Sequence, residues 1–148
     1  MILLFLEVTI VKRIVKVICA IIENDKSEVL CTLNPKDMSF SSYWEFPGGI
    51  IKDGEPPEKA IIREISEKLK CNITVNSLFS ATTYEYDDYI LNLMVAKCTL
   101  LEDKPSPEEN SKLLWLPIEY ITSLNWNPAT LPTVNKLIVK YKENLISN

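Results

Sequence analysis

Apolar and polar positions alternate between two periods along this chain, and the switches mark its elements. IVKVICAIIE at 14–23 is apolar at almost every position and rich in β-branched side chains. Such a run predicts a strand covered on both faces. NDKS at 24–27 supplies turn residues, and EVLCTL at 28–33 resumes the strand pattern, so the pair is expected to form a hairpin. NPKDMSFSS reads as a polar loop. WEF at 44–46 reads as a short strand ended by Pro47 and the Gly48–Gly49 pair.

From Pro57 the period changes to that of a helix. Ile61, Ile62, Ile65 and Leu69 fall on one side of a 3.6-residue wheel, and Pro57 suits a first turn. Glu64, Glu67 and Lys68 share the flank beside that stripe. Strand patterns return at 72–86 and 89–101, joined by a turn at Asp87–Asp88. An acidic, Pro-rich loop follows, then a short strand LLWL, a short helix PIEYITSL, and a turn NWNPATLP opening a last helix over roughly 131–145. Strands with one helix among them and helices at the end predict an α+β fold of α/β/α sandwich type, a mixed β-sheet between helices.

Length and composition narrow the class. A chain of 148 residues suits one domain, here 14–148, with 1–13 as an N-terminal extension or edge strand. The apolar start MILLFLEVTIVKR contains Glu7 and lacks a basic lead, which argues against a signal peptide. Charges at Glu7, Lys12, Arg13 and Lys16 argue against a membrane span. A cytoplasmic monomer or homodimer is expected. The net charge of −4 gives no basic footprint for duplex nucleic acid. There is no histidine, so acid–base or metal chemistry must fall to carboxylates, and all-oxygen sites favour Mg²⁺, Mn²⁺ or Ca²⁺. Cys19, Cys31, Cys71 and Cys98 lack metal-site spacing and read as buried free thiols.

One constellation carries chemistry. Gly48 and Gly49 let backbone carbonyls, which are hard oxygen donors, approach a ligand. Glu64 and Glu67 project one turn apart on the next helix, and Arg63 can fork onto a carboxylate or a loop carbonyl. Carbonyl plus clustered carboxylates suits Mg²⁺ or Mn²⁺ bridging to phosphates. From Gly49 the chain runs five residues to Glu55, seven more to Arg63, then Glu64, Ile65, Ser66 and Glu67. This resembles the Nudix hydrolase box, G-x5-E-x7-R-E-U-x-E-E-x-G-U, with U a bulky aliphatic residue. WEFPG is similar to the lead-in of MutT-type members, which hydrolyse nucleoside triphosphates. The likeness extends over roughly 14–140. EENSKLLWL looks like the family's E-H-x-x-L-x-W segment, with Glu109 at the acid and Trp115 at the tryptophan. NPATLP looks like the segment that closes over the base.

The resemblance implies roles by position. The Gly48 carbonyl and Glu67 would bind metal. Glu64 would bind metal or serve as general base, and Glu109 would add a ligand from its loop. Arg63 would orient Glu64, while Glu55 and Gly49 would hold the loop–helix geometry. A metal-activated water would cleave a nucleoside diphosphate linkage, giving a nucleoside monophosphate and pyrophosphate. Asn34, Lys68, Tyr84 and Thr130 fall at substrate-side positions. Trp44 and Trp115 are expected to pack in the core.

Several positions depart from the pattern. Lys68 replaces the second glutamate of the pair, a metal ligand in the family. At an effective dielectric of about 20, a like-charge contact at about 4 Å costs about 4 kcal/mol. Lys68 is therefore expected to bend outward or to contact phosphate, leaving fewer metals, weaker metal affinity and slower turnover. The alternative is a Nudix-fold module that holds a nucleotide with weak or no hydrolysis. Lys70 replaces the box glycine, at a cost of about 1 kcal/mol if a left-handed cap is kept. Asn72 is the alternative helix end. Asn34, Ile50 and Thr130 stand where MutT-type members often carry Arg, Lys and Asn or Asp.

Overall fold

The computed structural model describes residues 11–33, 43–101, 104–108 and 111–147. Among these residues seven strands and two α-helices run in the order β1 Arg13–Ile22, β2 Glu28–Leu33, β3 Trp44–Glu45, β4 Gly48–Ile50, α1 Pro57–Leu69, β5 Ile73–Glu85, β6 Tyr89–Leu100, β7 Lys112–Pro117 and α2 Leu131–Ser147. The expected PIEYITSL helix is a 3₁₀ helix, Ile118–Ser123, and a second 3₁₀ turn, Pro128–Thr130, leads into α2.

The strands form two sheets, ordered β4-β1-β6-β5 and β3-β2-β7. β1 and β6 are parallel in a register from Arg13 opposite Tyr89 to Ile22 opposite Cys98. The other pairings are antiparallel, so the first sheet is mixed. Both faces of β1 are covered, as its composition requires. Ile18, Ala20 and Ile22 pack with Ala60, Ile61, Ile65 and Leu69 of α1. Cys19 and Ile21 point the other way, into the cluster that holds Val134 and Leu137 of α2. The expected α/β/α layering follows from this alternation.

The hairpin expected from β1 and β2 does not form. The NDKS turn is present: the Asn24 carboxamide oxygen accepts from the Lys26 and Glu28 amides, each at 3.0 Å. After a single bridge between Glu23 and Val29 the strands separate. A strand has two edges, and β1 gives one to β4 and the other to β6. β2 must find its partners in the second sheet.

The Gly48–Gly49 pair is a strand rather than a strand stop. β4 lies against β1 with Ile18 opposite Gly49 and Cys19 opposite Gly48. A Cβ at Gly48 would collide with the Ile18 carbonyl and the Cys19 backbone. Glycine is needed there for close approach. Trp44 and Trp115 are partly buried and pack on the two cores, as expected. Among the described residues no helix is long and apolar enough to cross a membrane. Residues 1–10 of the proposed extension lie outside the described residues.

Candidate active site

The site forms where the β4 edge meets α1. β1 carries β4 across the sheet, and the loop after β4 returns the chain to the α1 N-terminus at Pro57. Glu64 sits on the third turn of α1, and its carboxyl lies over Gly49. A Cβ at Gly49 would fall on that carboxylate. Residues 49 and 64 are thus fitted to one another, and the glycine is required by Glu64.

Arg63 ties loop to helix. Its Nε and Nη2 donate to the two carboxylate oxygens of Glu55 at 2.7 and 2.9 Å. Nη2 also reaches the Ile50 carbonyl at 3.1 Å. Nη1 donates to Glu64 Oε1 at 2.9 Å and to Glu67 Oε2 at 3.3 Å. Glu55 in turn accepts from the Lys52 amide at 3.1 Å, which closes the loop. The Arg63 fork pulls the Glu55 carboxyl from its ordinary 4.5 down to about 2. Glu55 and then Glu64 push the guanidinium above its ordinary value.

Lys68 does not bend outward: Nζ donates to the Gly48 carbonyl at 2.7 Å and stands 3.1 Å from Glu64 Oε2. The second contact is an ion pair by distance that lacks hydrogen-bond angles. Glu64 Oε2 is buried and accepts no hydrogen bond from the described residues. Glu64 retains 7% of its accessible surface. A carboxylate so enclosed needs a counter-charge, and an i,i+4 lysine on the same helix meets that need.

The expected metal ligands therefore divide. Gly48 and Glu64 face the same point, but the Lys68 ammonium holds it, so those two donors do not fit a divalent ion while Lys68 stays there. Among the described residues no group of three acidic or thiol side chains forms a metal cluster. Glu67 fits an ion carried in on a phosphate chain, because its side chain is 59% exposed and gives one oxygen to Arg63 at the loose distance above. Glu109 and Asn34 lie outside the described residues. Tyr84 is exposed on β5, its ring against Tyr86 at 4.7 Å. Thr130 is buried in the 3₁₀ turn, its amide donating to the Asn127 carbonyl at 2.8 Å. Among the described residues neither hydrogen-bonds to the box residues.

One residue near these parts, Glu45, was missed in the sequence. Burial pushes the Tyr86 phenol up to about 12, with Tyr89, Tyr84 and Glu45 adding to it. Glu45 receives the Asn127 carboxamide at 3.3 Å. Burial raises the Cys19 thiol, and Glu45, Lys68 and Glu64 all act on it. Glu45 thus acts electrostatically on both Tyr86 and Cys19. Its signal was a lone acid between Trp44 and Phe46, on the opposite side of a short strand from both.

The sequence pattern of the NUDIX domain matches residues 12–137, nearly the whole described fold. This chain belongs to the NUDIX domain family. It is 31% identical over 117 residues to the 8-oxo-dGTP diphosphatase of Escherichia coli (strain K12), covering 79% of this chain and 91% of that protein. It is 26% identical over 120 residues to the CTP pyrophosphohydrolase of the same strain, covering 81% and 88%. The NMR structure of the DNA mismatch repair protein MutT from methicillin-resistant Staphylococcus aureus 252 superposes with a TM-score of 0.74 at 38% identity, covering 88% and 99%. MutT from Methanosarcina mazei Go1 superposes at 0.78 with 16% identity over 88% and 97%, a likeness of fold alone. The Nudix fold and the MutT-type relationship expected from the box are borne out.

Proposed function

We propose that this Nudix protein hydrolyses a nucleoside triphosphate to a nucleoside monophosphate and pyrophosphate. The observation that carries the reading is the assembled box: Arg63 links Glu55, Glu64, Glu67 and the Ile50 carbonyl in one network. That network holds the Glu64 and Glu67 carboxylates, with Lys68 beside Glu64, at the sheet edge, where a phosphate chain can lie. MutT-type relatives named for nucleoside triphosphate hydrolysis support the substrate class.

The chain's own groups divide the work. Glu64, locked by Arg63 and Gly49, holds positive charge beside the Gly48 carbonyl. Lys68 supplies that charge and is placed to meet a phosphate oxygen. Glu67, with Glu109 from its loop, would hold Mg²⁺ or Mn²⁺ arriving with the substrate. Such an ion supplies neutralisation of phosphate charge and a more acidic bound water. Thr130 has a hydroxyl where paired hydrogen bonds would read a base edge, so broad base preference is expected.

The test is pyrophosphate release from a panel of nucleoside triphosphates with Mg²⁺ or Mn²⁺. At least one substrate should turn over, and Glu64→Gln should lower kcat by roughly ten- to a hundredfold, the scale of one lost charged contact, because it removes the counter-charge that seats Lys68. Tight nucleotide binding with no pyrophosphate release under either ion would replace this reading with a nucleotide-holding module.

A further inference from the structure

We infer that the Lys68 ammonium is a tethered replacement for one cation of the Nudix centre, so that this chain neutralises Glu64 by a side chain where a divalent ion would otherwise be needed. The chemistry of the point it occupies carries the inference. A backbone carbonyl and a buried carboxylate oxygen converge there, from Gly48 and Glu64. This is a hard, all-oxygen pair of the kind that takes Mg²⁺ or Mn²⁺. Lys68 Nζ lies 2.7 Å from the first and 3.1 Å from the second. Glu64 Oε2 has no hydrogen-bond donor among the described residues, and the other carboxylate oxygen is committed to Arg63. The carboxylate cannot retreat: Gly49 backs it without room for a Cβ.

The tether has consequences a free ion lacks. The ammonium is present at any metal concentration. It brings one positive charge where Mg²⁺ brings two, so the local field on a phosphate is weaker. Among the described residues its one hydrogen bond goes to the Gly48 carbonyl, and the contact with Glu64 is electrostatic, which leaves donor capacity for a substrate oxygen. The Lys68 side chain is 41% exposed, so it can be reached from solvent. A divalent ion entering the same point must displace it against direct charge repulsion.

This rests on the hydrolase reading solely for the identity of the phosphate; the cation count is independent of turnover. Mn²⁺ binding is measured on nucleotide-free wild type, Lys68→Glu and Lys68→Met by electron paramagnetic resonance, with thermal unfolding in chelator and in saturating Mn²⁺. Lys68→Glu should bind one more Mn²⁺ than wild type, or bind its tightest Mn²⁺ at least about tenfold more tightly. Lys68→Met should unfold at a lower temperature than wild type in chelator and recover most of the difference in Mn²⁺, since Glu64 has then lost its counter-charge. Equal Mn²⁺ number and affinity in wild type and Lys68→Glu would overturn the inference. So would a Lys68→Met protein as stable as wild type in chelator. Should a variant fail to fold, a wild-type crystal soaked in Mn²⁺ decides: anomalous density between the Gly48 carbonyl and Glu64 refutes the inference, and its absence there with density at Glu67 supports it. Absence of turnover on every nucleotide would remove the proposed function and leave these counts unchanged.

Discussion

Arg63 is the residue on which the site's geometry turns, and Glu55 is its strongest partner. Arg63 reaches the loop through a fork onto Glu55 and the helix through Glu64 and Glu67. A forked guanidinium–carboxylate pair fixes direction as well as distance, which a lysine at 63 would not do. The fork leaves a pH signature. The Glu55 carboxyl falls from an ordinary 4.5 to about 2, chiefly through the Arg63 hydrogen bonds. A group depressed in the fold stabilises it above the ordinary value, and that contribution is lost as pH falls through the folded value. The difference in thermal midpoint between wild type and Glu55→Gln should therefore be constant from about pH 6 to 5. It should shrink as pH drops from 4.5 toward 2, where the carboxyl is protonated in the unfolded chain and half protonated in the fold. A difference that stays flat down to pH 2 would mean that the fork does not hold Glu55 ionised.

At the scale of elements, α1 was the most legible part of the chain. Its bounds, 57–69, match the expected helix, and its stripe is buried at Ile61, Ile65 and Leu69 with Ala60 added. Local spacing determines a helix, because its hydrogen bonds and its apolar face both lie within a few residues. The β1–β2 hairpin was misjudged because strand pairing is decided by which edges are free, a property of strands distant in sequence. The Gly48–Gly49 strand was missed for a related reason: the glycines serve close approach to β1, which no local pattern records. In the site, the box spacing disclosed Gly49, Glu55, Arg63, Glu64 and Glu67. It did not disclose where the Lys68 ammonium would go, since that depends on the Gly48 carbonyl twenty residues earlier. The α1 end offers a test of local reasoning. The helix stops at Leu69 and does not extend toward Asn72; Lys70 takes the left-handed cap at φ 53°, with its amide on the Ser66 carbonyl at 3.1 Å. The Ser106 amide secures the last carbonyl, that of Leu69, at 2.8 Å. With the cap conformation fixed from both sides, Lys70→Gly removes the left-handed strain and should stabilise the protein by roughly 1 kcal/mol. Chemical denaturation would measure this, and an unchanged or lowered midpoint would show that the lysine is not strained there.

For the whole molecule the question is whether the two cores open together. β1 supplies alternate residues to each, so neither core can be lost without exposing the other face of the same strand. The cysteines report on this directly. Cys19 and Cys31 lie in the core under α2, and Cys71 and Cys98 in the core under α1. All four are buried. Burial pushes the Cys31 and Cys98 thiols up to about 12 and raises Cys19 as well, which suppresses the reactive thiolate at neutral pH. Native protein should therefore resist a maleimide reagent. Added denaturant should expose the two pairs over one transition, with the same free energy of protection read at each site by mass spectrometry. The shared strand makes this outcome the natural one: releasing α1 alone would uncover Ile18, Ala20 and Ile22 while β1 stays paired on both edges. Each large apolar side chain uncovered costs about 1.5–3 kcal/mol. Labelling of Cys71 and Cys98 at lower denaturant than Cys19 and Cys31 would show instead that the α1 layer, which carries Glu64 and Lys68, opens by itself. The box would then sit on the less stable half of the fold, and Mn²⁺ or nucleotide would be expected to raise the protection of that pair first.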